Sequence, residues 1–294
     1  MIASLALLVA TSATGAESAA PAAIETHALR GGLYLLAGGG GNVIAWSGSD
    51  GLLVVDTGSA SAEPQLLDAL AKLSGGPVRV VVNTHWHPEH VGGNAALRRG
   101  GAEIIAHDGT RARMASRQVM SAYDLEVPAA PRDALPVVTF NDTVTLHMNG
   151  ARLLLAHVPA AHTDGDLIAW WESADVVHMG DAYYAGEYPA LDVANGGSLA
   201  GTVSAVETTL SRTGARTLVV PGHGPVSNRA ELAAYRDMLV AVGRRVRELV
   251  EQGSTLEEVL AARPTAAFDE RYGRTGIGAE RFVRLLYEDL TTRR

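Results

Sequence analysis

The sequence predicts an α/β protein built as a four-layer αββα sandwich, two sheets face to face with helices covering both outer surfaces. Short apolar runs separated by turn residues fall into two clusters along the chain, and helical segments follow each cluster. With 294 residues, 47% of them hydrophobic, and no Pro/Gly-rich linker after the leader, one domain over residues 17–294 is the simplest organisation.

In the first cluster, Gly32–Ala37, Asn42–Trp46 and Leu52–Asp56 read as strands, the last two joined by the turn Gly48-Ser49-Asp50-Gly51. Leu66, Leu67, Leu70 and Leu73 repeat at helical spacing over Ala62–Leu73, and Gly75-Gly76-Pro77 ends that helix before the strand Val78–Asn83. A helix from about Glu89 to Arg99, a strand Glu103–His107 and a helix near Gly109–Met120 continue the alternation, and a loop runs through Pro128, Pro131 and Pro136. The second cluster comprises the strands Val137–Phe140, Val144–Met148, Arg152–Val158, Leu167–Trp171 and Val176–His178. The helix Leu199–Arg212 and the strand Thr217–Val220 follow, and the carboxy-terminal region, about 229–294, is mainly helical from Arg229 to Leu290.

Ahead of the domain, Met1 to Ala10 is almost wholly apolar, and the small residues Ala13, Gly15 and Ala16 precede Glu17, as in a signal peptide over residues 1–16. No Lys or Arg precedes the apolar stretch, which is too short to remain as a bilayer anchor. The expected location is periplasmic or secreted, with no membrane association in the mature form. Glu17 to Thr26 reads as a flexible mature amino terminus. The charge balance, 24 Lys plus Arg against 32 Asp plus Glu, gives a net −8 that repels polyanions, so nucleic acid is excluded as a partner and a small molecule is the expected one. The chain has no cysteine, which removes disulfides, thiolate nucleophiles and Cys-ligated metals together.

Chemistry concentrates in Thr84-His85-Trp86-His87-Pro88-Glu89-His90, directly after an apolar strand. A strand end turning into a helix can aim alternate side chains at one point, so His85 and His87 could grip one metal while Glu89 and His90 face a second. The bland alternative is a surface histidine cluster without metal. Further along, His162, Asp181 and His223 each sit in a Gly-containing loop after a predicted strand, where side chains from distant positions converge in layered folds. Each alone reads as a turn residue; in this order they form a pattern.

That pattern resembles the metallo-β-lactamase-fold hydrolase superfamily, whose signature is a His-x-His-x-Asp-His run, a lone His, a lone Asp and a final His; the likeness runs from Leu33 to Val226. The resemblance implies that His85, His87 and His162 bind a first metal, that Glu89, His90 and His223 bind a second, and that Asp181 bridges both. It implies two zinc ions, a metal-activated water as nucleophile, and Asp56 as a support for the metal loop. Glu89 would both bind the second metal and orient the nucleophile, which makes it the candidate catalytic residue. It is also the departure from the family, which has Asp there: the added methylene shifts the carboxylate by ~1.5 Å, against a metal–ligand tolerance of ~0.2 Å. A normal dinuclear site, a site filled only at its first position, and a preference for iron or manganese are the open outcomes.

The expected reaction is the opening of a small cyclic amide or ester, such as a β-lactam or lactone. An iron-dependent oxidoreductase on the same fold and a non-catalytic metal-binding protein are the rivals. Trp86, Trp170, Trp171, Tyr183, Tyr184 and Tyr188, close in sequence to the candidate ligands, could wall an apolar pocket. His178 could support Asp181, whereas His27, His107, His147 and His157 read as structural or surface residues. Gly38 to Gly41 lacks the Gly-Lys-Ser/Thr of a phosphate cradle and reads as a flexible loop.

Overall fold

In the computed structural model, which describes residues 23–73 and 75–292, the chain opens with an antiparallel meander. Its strands are β1 (Glu25–Ala28), β2 (Leu33–Ala37), β3 (Val43–Gly48) and β4 (Gly51–Val55). Helix α1 (Glu63–Ala71), with a proline in its first turn, carries the chain to β5 (Val78–Val82), parallel to β4. The short helices α2 (Pro88–Val91) and α3 (Asn94–Arg99) lead to β6 (Glu103–His107), again parallel. After α4 (Asp108–Met114) comes a ribbon of β7 (Gln118–Met120) and β8 (Leu125–Val127). Strand β9 (Val138–Phe140) then completes a seven-stranded sheet in the order β1-β2-β3-β4-β5-β6-β9.

The second sheet has six strands in chain order: β10 (Thr143–Met148), β11 (Ala151–His157), β12 (Leu167–Trp171), β13 (Val176–His178), β14 (Leu218–Val220) and β15 (Ser227–Asn228). Helix α5 (Leu199–Arg212) provides the crossover between the parallel pair β13 and β14. Helices α6 (Arg229–Glu251), α7 (Leu256–Ala261), α8 (Asp269–Tyr272) and α9 (Gly278–Thr292) follow.

Strand side chains alternate between two faces, and here both faces are buried. Leu53 and Val55 of β4 meet Leu167, Ala169 and Trp171 of β12 between the sheets. Their neighbours Leu52 and Val54 turn outward onto Leu66 and Leu70 of α1 and Leu97 of α3. On the opposite outer surface, Ile168 and Trp170 join Val206 of α5, Leu239 of α6 and Phe282 of α9 in one cluster. The four layers are therefore helices, sheet, sheet, helices, as the two strand clusters predict.

Several local expectations need correction. The expected helix over Glu89–Arg99 is two helices, because the chain breaks at Gly92-Gly93 to pass the preceding loop, where Gly92 N donates to Gly58 O at 2.8 Å. The expected helix over Gly109–Met120 stops at Met114: Gln118 Nε2 donates to the Arg113 carbonyl at 3.1 Å, and Gln118–Met120 pairs with Leu125–Val127 instead. Strand β9, grouped by chain order with the second sheet, pairs parallel with β6 of the first. Glu25 and Thr26, expected in a flexible terminus, pair with Ala37 and Leu36. The expected leader over residues 1–16 lies outside the described residues.

Candidate metal centre

The two sheets deliver the candidate ligands from their strand ends. His85, His87, Glu89 and His90 follow β5 of the first sheet, whereas His162, Asp181 and His223 follow β11, β13 and β14 of the second. Donor atoms of His85, His87, His162 and Asp181 lie within 4.8 Å of one another, as do those of Glu89, His90, Asp181 and His223. Asp181 is common to both groups. Its Oδ2 lies 3.7 Å from His162 Nε2 and 3.9 Å from His85 Nε2 on one side and 3.4 Å from His223 Nε2 on the other, while Oδ1 is 3.2 Å from His90 Nε2. The first turn of α2 brings Glu89, despite its extra methylene, into the second group.

Hydrogen bonds fix which ring nitrogen of His85, His87 and His90 is free. Thr84 Oγ1 gives its one proton to Asp56 Oδ2 at 2.7 Å, so it accepts from His85 Nδ1 at 3.0 Å and leaves the His85 Nε2 lone pair facing the group. That buried atom has no hydrogen-bond partner among the described residues. His87 donates from Nε2 to Asp192 Oδ2 at 2.9 Å, which turns its Nδ1 toward His162 Nε2, also 2.9 Å away. His90 donates from Nδ1 to Asp56 Oδ2 at 2.8 Å, presenting Nε2 to the second group. Converging lone pairs on buried nitrogens, one of them orphaned, are the donor set of a nitrogen- and oxygen-ligated divalent cation, so the residues fit the metals that the sequence implies.

Asp56 holds this arrangement together. It follows β4 with a left-handed φ of 62°, a conformation Asp adopts more readily than most residues. Its backbone N donates to Val82 O at 2.7 Å, and its Oδ1 accepts from Thr84 N at 2.7 Å, so it clamps the start of the histidine loop to the end of its own strand. His178 reaches Asp56 Oδ2 at 3.7 Å rather than Asp181. On the other sheet, Asp166 accepts from His162 N at 2.5 Å and Thr163 N at 2.8 Å, fixing the turn that carries His162.

Absent side chains matter as much. A Cβ on Gly41 would lie 2.2 Å from the His90 ring, and one on Gly222 would lie 1.9 Å from Asp181 Oδ1. The glycine run expected to be a flexible loop is thus packed against the histidine motif, and Gly41 N donates to Glu89 O at 3.1 Å. Sequence reasoning misses Asp192, Asp166 and this role of the glycines. A short-range signal existed only for Asp166, which stands four residues after His162 in a turn-forming His-Thr-Asp-Gly-Asp run.

Charge differs between the groups. Burial, reinforced by the neighbouring imidazoles, pushes His85 well down and His162 down to about 3. Burial also opposes charge on His90 and His223, but Asp181 outweighs it, joined by Asp56 at His90, and both imidazoles are raised. Asp181 itself, despite burial, is held well below the usual carboxylate range by His223, His90 and His85. Of the aromatic residues expected at a pocket wall, Trp86 meets the His87 ring edge to face at 4.5 Å between centroids, and Tyr184 contacts two candidate ligands. Its hydroxyl donates to Asp181 Oδ2 at 2.5 Å, and its ring stacks on His223 with centroids 5.3 Å apart. Trp86, Trp171, Tyr183 and Tyr188 are core residues, and Trp170 packs on the helix side beneath Arg212.

Comparison with known proteins agrees with this geometry. A family model described as the metallo-beta-lactamase superfamily matches residues 36–240. A hydroxyacylglutathione hydrolase of Anaeromyxobacter dehalogenans is 31% identical over 140 residues, covering 47% of this chain and 41% of that protein. The chain thus spans less than half the length of this curated relative. Among solved structures, a metallo-beta-lactamase from Pontibacter korlensis superposes with a TM-score of 0.59 at 21% identity, over 74% of this chain and 98% of that one. The sec-alkylsulfatase Pisa1 from Pseudomonas sp. gives a TM-score of 0.64 at 17% identity, over 90% of this chain and 50% of that one. At these identities the two structures share the fold with this chain.

Proposed function

The chain belongs to the metallo-beta-lactamase superfamily, and from that premise we propose that it is a dizinc hydrolase that opens a small cyclic amide or ester, such as a β-lactam or lactone. The observation that carries this reading is the shared carboxylate: Asp181 stands between two ligand groups, each completed by imidazoles. Two divalent cations held there would bring the pKa of a water toward neutrality and polarise a carbonyl, which supplies both nucleophile and electrophile without serine or cysteine.

The remaining roles fall to the chain itself. In this reading His85, His87 and His162 hold one cation and Glu89, His90 and His223 the other. Glu89, half-buried beside His90, orients the attacking water and accepts its proton. Tyr184 gives its one hydroxyl proton to Asp181 and so steadies the carboxylate that the two groups share. Export to the periplasm or beyond is part of the proposal and rests on the leader pattern of residues 1–16.

A second reading, hydrolysis of a glutathione thioester, is favoured by the hydroxyacylglutathione hydrolase relative. One panel separates the two: purified protein assayed on nitrocefin, lactones and glutathione thioesters, with zinc, iron and manganese quantified in the same preparation. Turnover of a cyclic substrate at two zinc per chain is the expected result. Turnover of thioesters alone selects the second reading, and iron with no hydrolysis removes both. Replacing Glu89→Asp is expected to change turnover or metal content; a variant identical to the parent in both would remove the role given to Glu89.

A further inference from the structure

Arg113 stands in the last turn of α4 and is not among the candidate ligands. Its guanidinium nevertheless joins two chain segments that hold the first ligand group. Nε and Nη2 donate to Asp164 Oδ2 at 3.2 and 2.6 Å, and Nη1 donates to Asn195 Oδ1 at 2.9 Å. Asp164 stands two residues after His162, and Asn195 three after Asp192, the carboxylate that accepts from His87. The two segments also meet each other. Asp164 N donates to Asn195 O and Asp192 N to His162 O, both at 3.0 Å, and a Cβ on Gly197 would lie 2.0 Å from the same His162 oxygen.

The chemistry of the Asn195 amide gives this contact a direction. Arginine carries donors only, and an ionised carboxylate acceptors only. Asn195 therefore turns Oδ1 to Arg113 and Nδ2 to Asp192, whose two oxygens it reaches at 2.9 Å each. Flipped, the amide would set its oxygen against a buried carboxylate. Held this way, Asp192 keeps Oδ2 on the His87 Nε2 hydrogen at 2.9 Å, and His87 Nδ1 is left to face the first group. A planar guanidinium can serve Asp164 and Asn195 at once because its donors point in fixed, divergent directions, which an ammonium does not offer.

We propose that Arg113 is a positioning residue for the first ligand group: through Asn195 it orients Asp192 on His87, and through Asp164 it holds the turn that carries His162. By exposure alone, Arg113 and Asp164 would pass for a surface ion pair of little consequence for stability. Their consequence falls instead on how firmly one of the two cations is held. Arg113 has this role only if His87 and His162 are ligands, as the proposed function takes them to be, whatever the substrate.

The probe is zinc, its affinity measured by competition with a chelator on the full chain in two backgrounds. His223→Ala leaves the first group to bind alone, and His85→Ala with His162→Ala leaves the second. In the first background, Arg113→Met weakens zinc binding about fivefold and Asn195→Leu about tenfold, the low end for residues that support a ligand from behind. In the second background neither substitution changes it. Both together weaken the first group by less than the product, about fiftyfold, because they break one chain of contacts. Unchanged affinity in the first background overturns the assignment, as does equal weakening in both backgrounds, the mark of a merely structural role, or a loss equal to the full product. A parent that binds no zinc removes the ligand roles and the positioning with them. A parent that binds two, with variants that leave the first group unmoved, removes the positioning alone.

Discussion

The two ligand groups share Asp181 but differ in what occupies them before a cation arrives. In the first, all four residues are buried, and the His85 and His162 imidazoles are held neutral by burial and by each other's company. In the second, Glu89 and His223 are only half-buried, and the carboxylates Asp181 and Asp56 keep His90 and His223 protonated to higher pH. Metal ligands must give up their protons. The His85 and His162 imidazoles are therefore already neutral, whereas protons must leave His90 and His223 before a cation can enter.

The largest test of this contrast removes what the groups share. Asp181→Asn keeps the shape but not the charge, and hydrolysis should fall by about three orders of magnitude. Metal analysis should find both positions weakened, and one position untouched would mean that Asp181 serves a single group. Next is pH. Zinc titration of the apoprotein should reach two equivalents at alkaline pH but only one at mildly acid pH, because His90 and His223 hold their protons to higher pH than free imidazoles. Equal stoichiometry at both would break the contrast.

The supporting carboxylates sharpen it further. Asp192→Asn should weaken zinc binding in the first group, and Asp56→Asn in the second, each by about 10- to 100-fold. Competition with a zinc chelator measures both. A smaller effect belongs to the frame and serves as a control on the pH experiment. His107 stacks on His157 with centroids 3.8 Å apart, and burial followed by the His157 charge lowers its pKa. The unfolded chain therefore binds that proton more readily, and the stability tied to His107, full above about pH 6.5, is lost as pH falls below it. Between neutral and mildly acid pH, metal-free His107→Gln should lose about 2 °C less in Tm than the metal-free parent.

What the sequence makes legible follows from the range of the interactions. His85 to His90 stand in one run, and His162, Asp181 and His223 close strands whose hydropathy is plain, so local pattern suffices to gather them. Asp192 carries no local mark: its role exists only through a bond to a histidine 105 positions away. Strand β9 is placed in the wrong sheet because chain order suggests proximity, while the pairing obeys the parallel edge of β6. Residues 109–120 mislead for another reason, since three-residue strands leave too little alternation to outweigh a helical start.

The placement of the ligands also bears on how the molecule stays folded. One half of the centre hangs from β5 and the other from β11, β13 and β14, so a cation bound there would join the two sheets across the core. In a chain without a single cysteine, it would act as a removable cross-link. Because an unfolded chain cannot assemble the same donors, occupancy would add RT ln(1 + [L]/Kd) to the folding free energy, making resistance to heat and proteolysis depend on the supply of the metal.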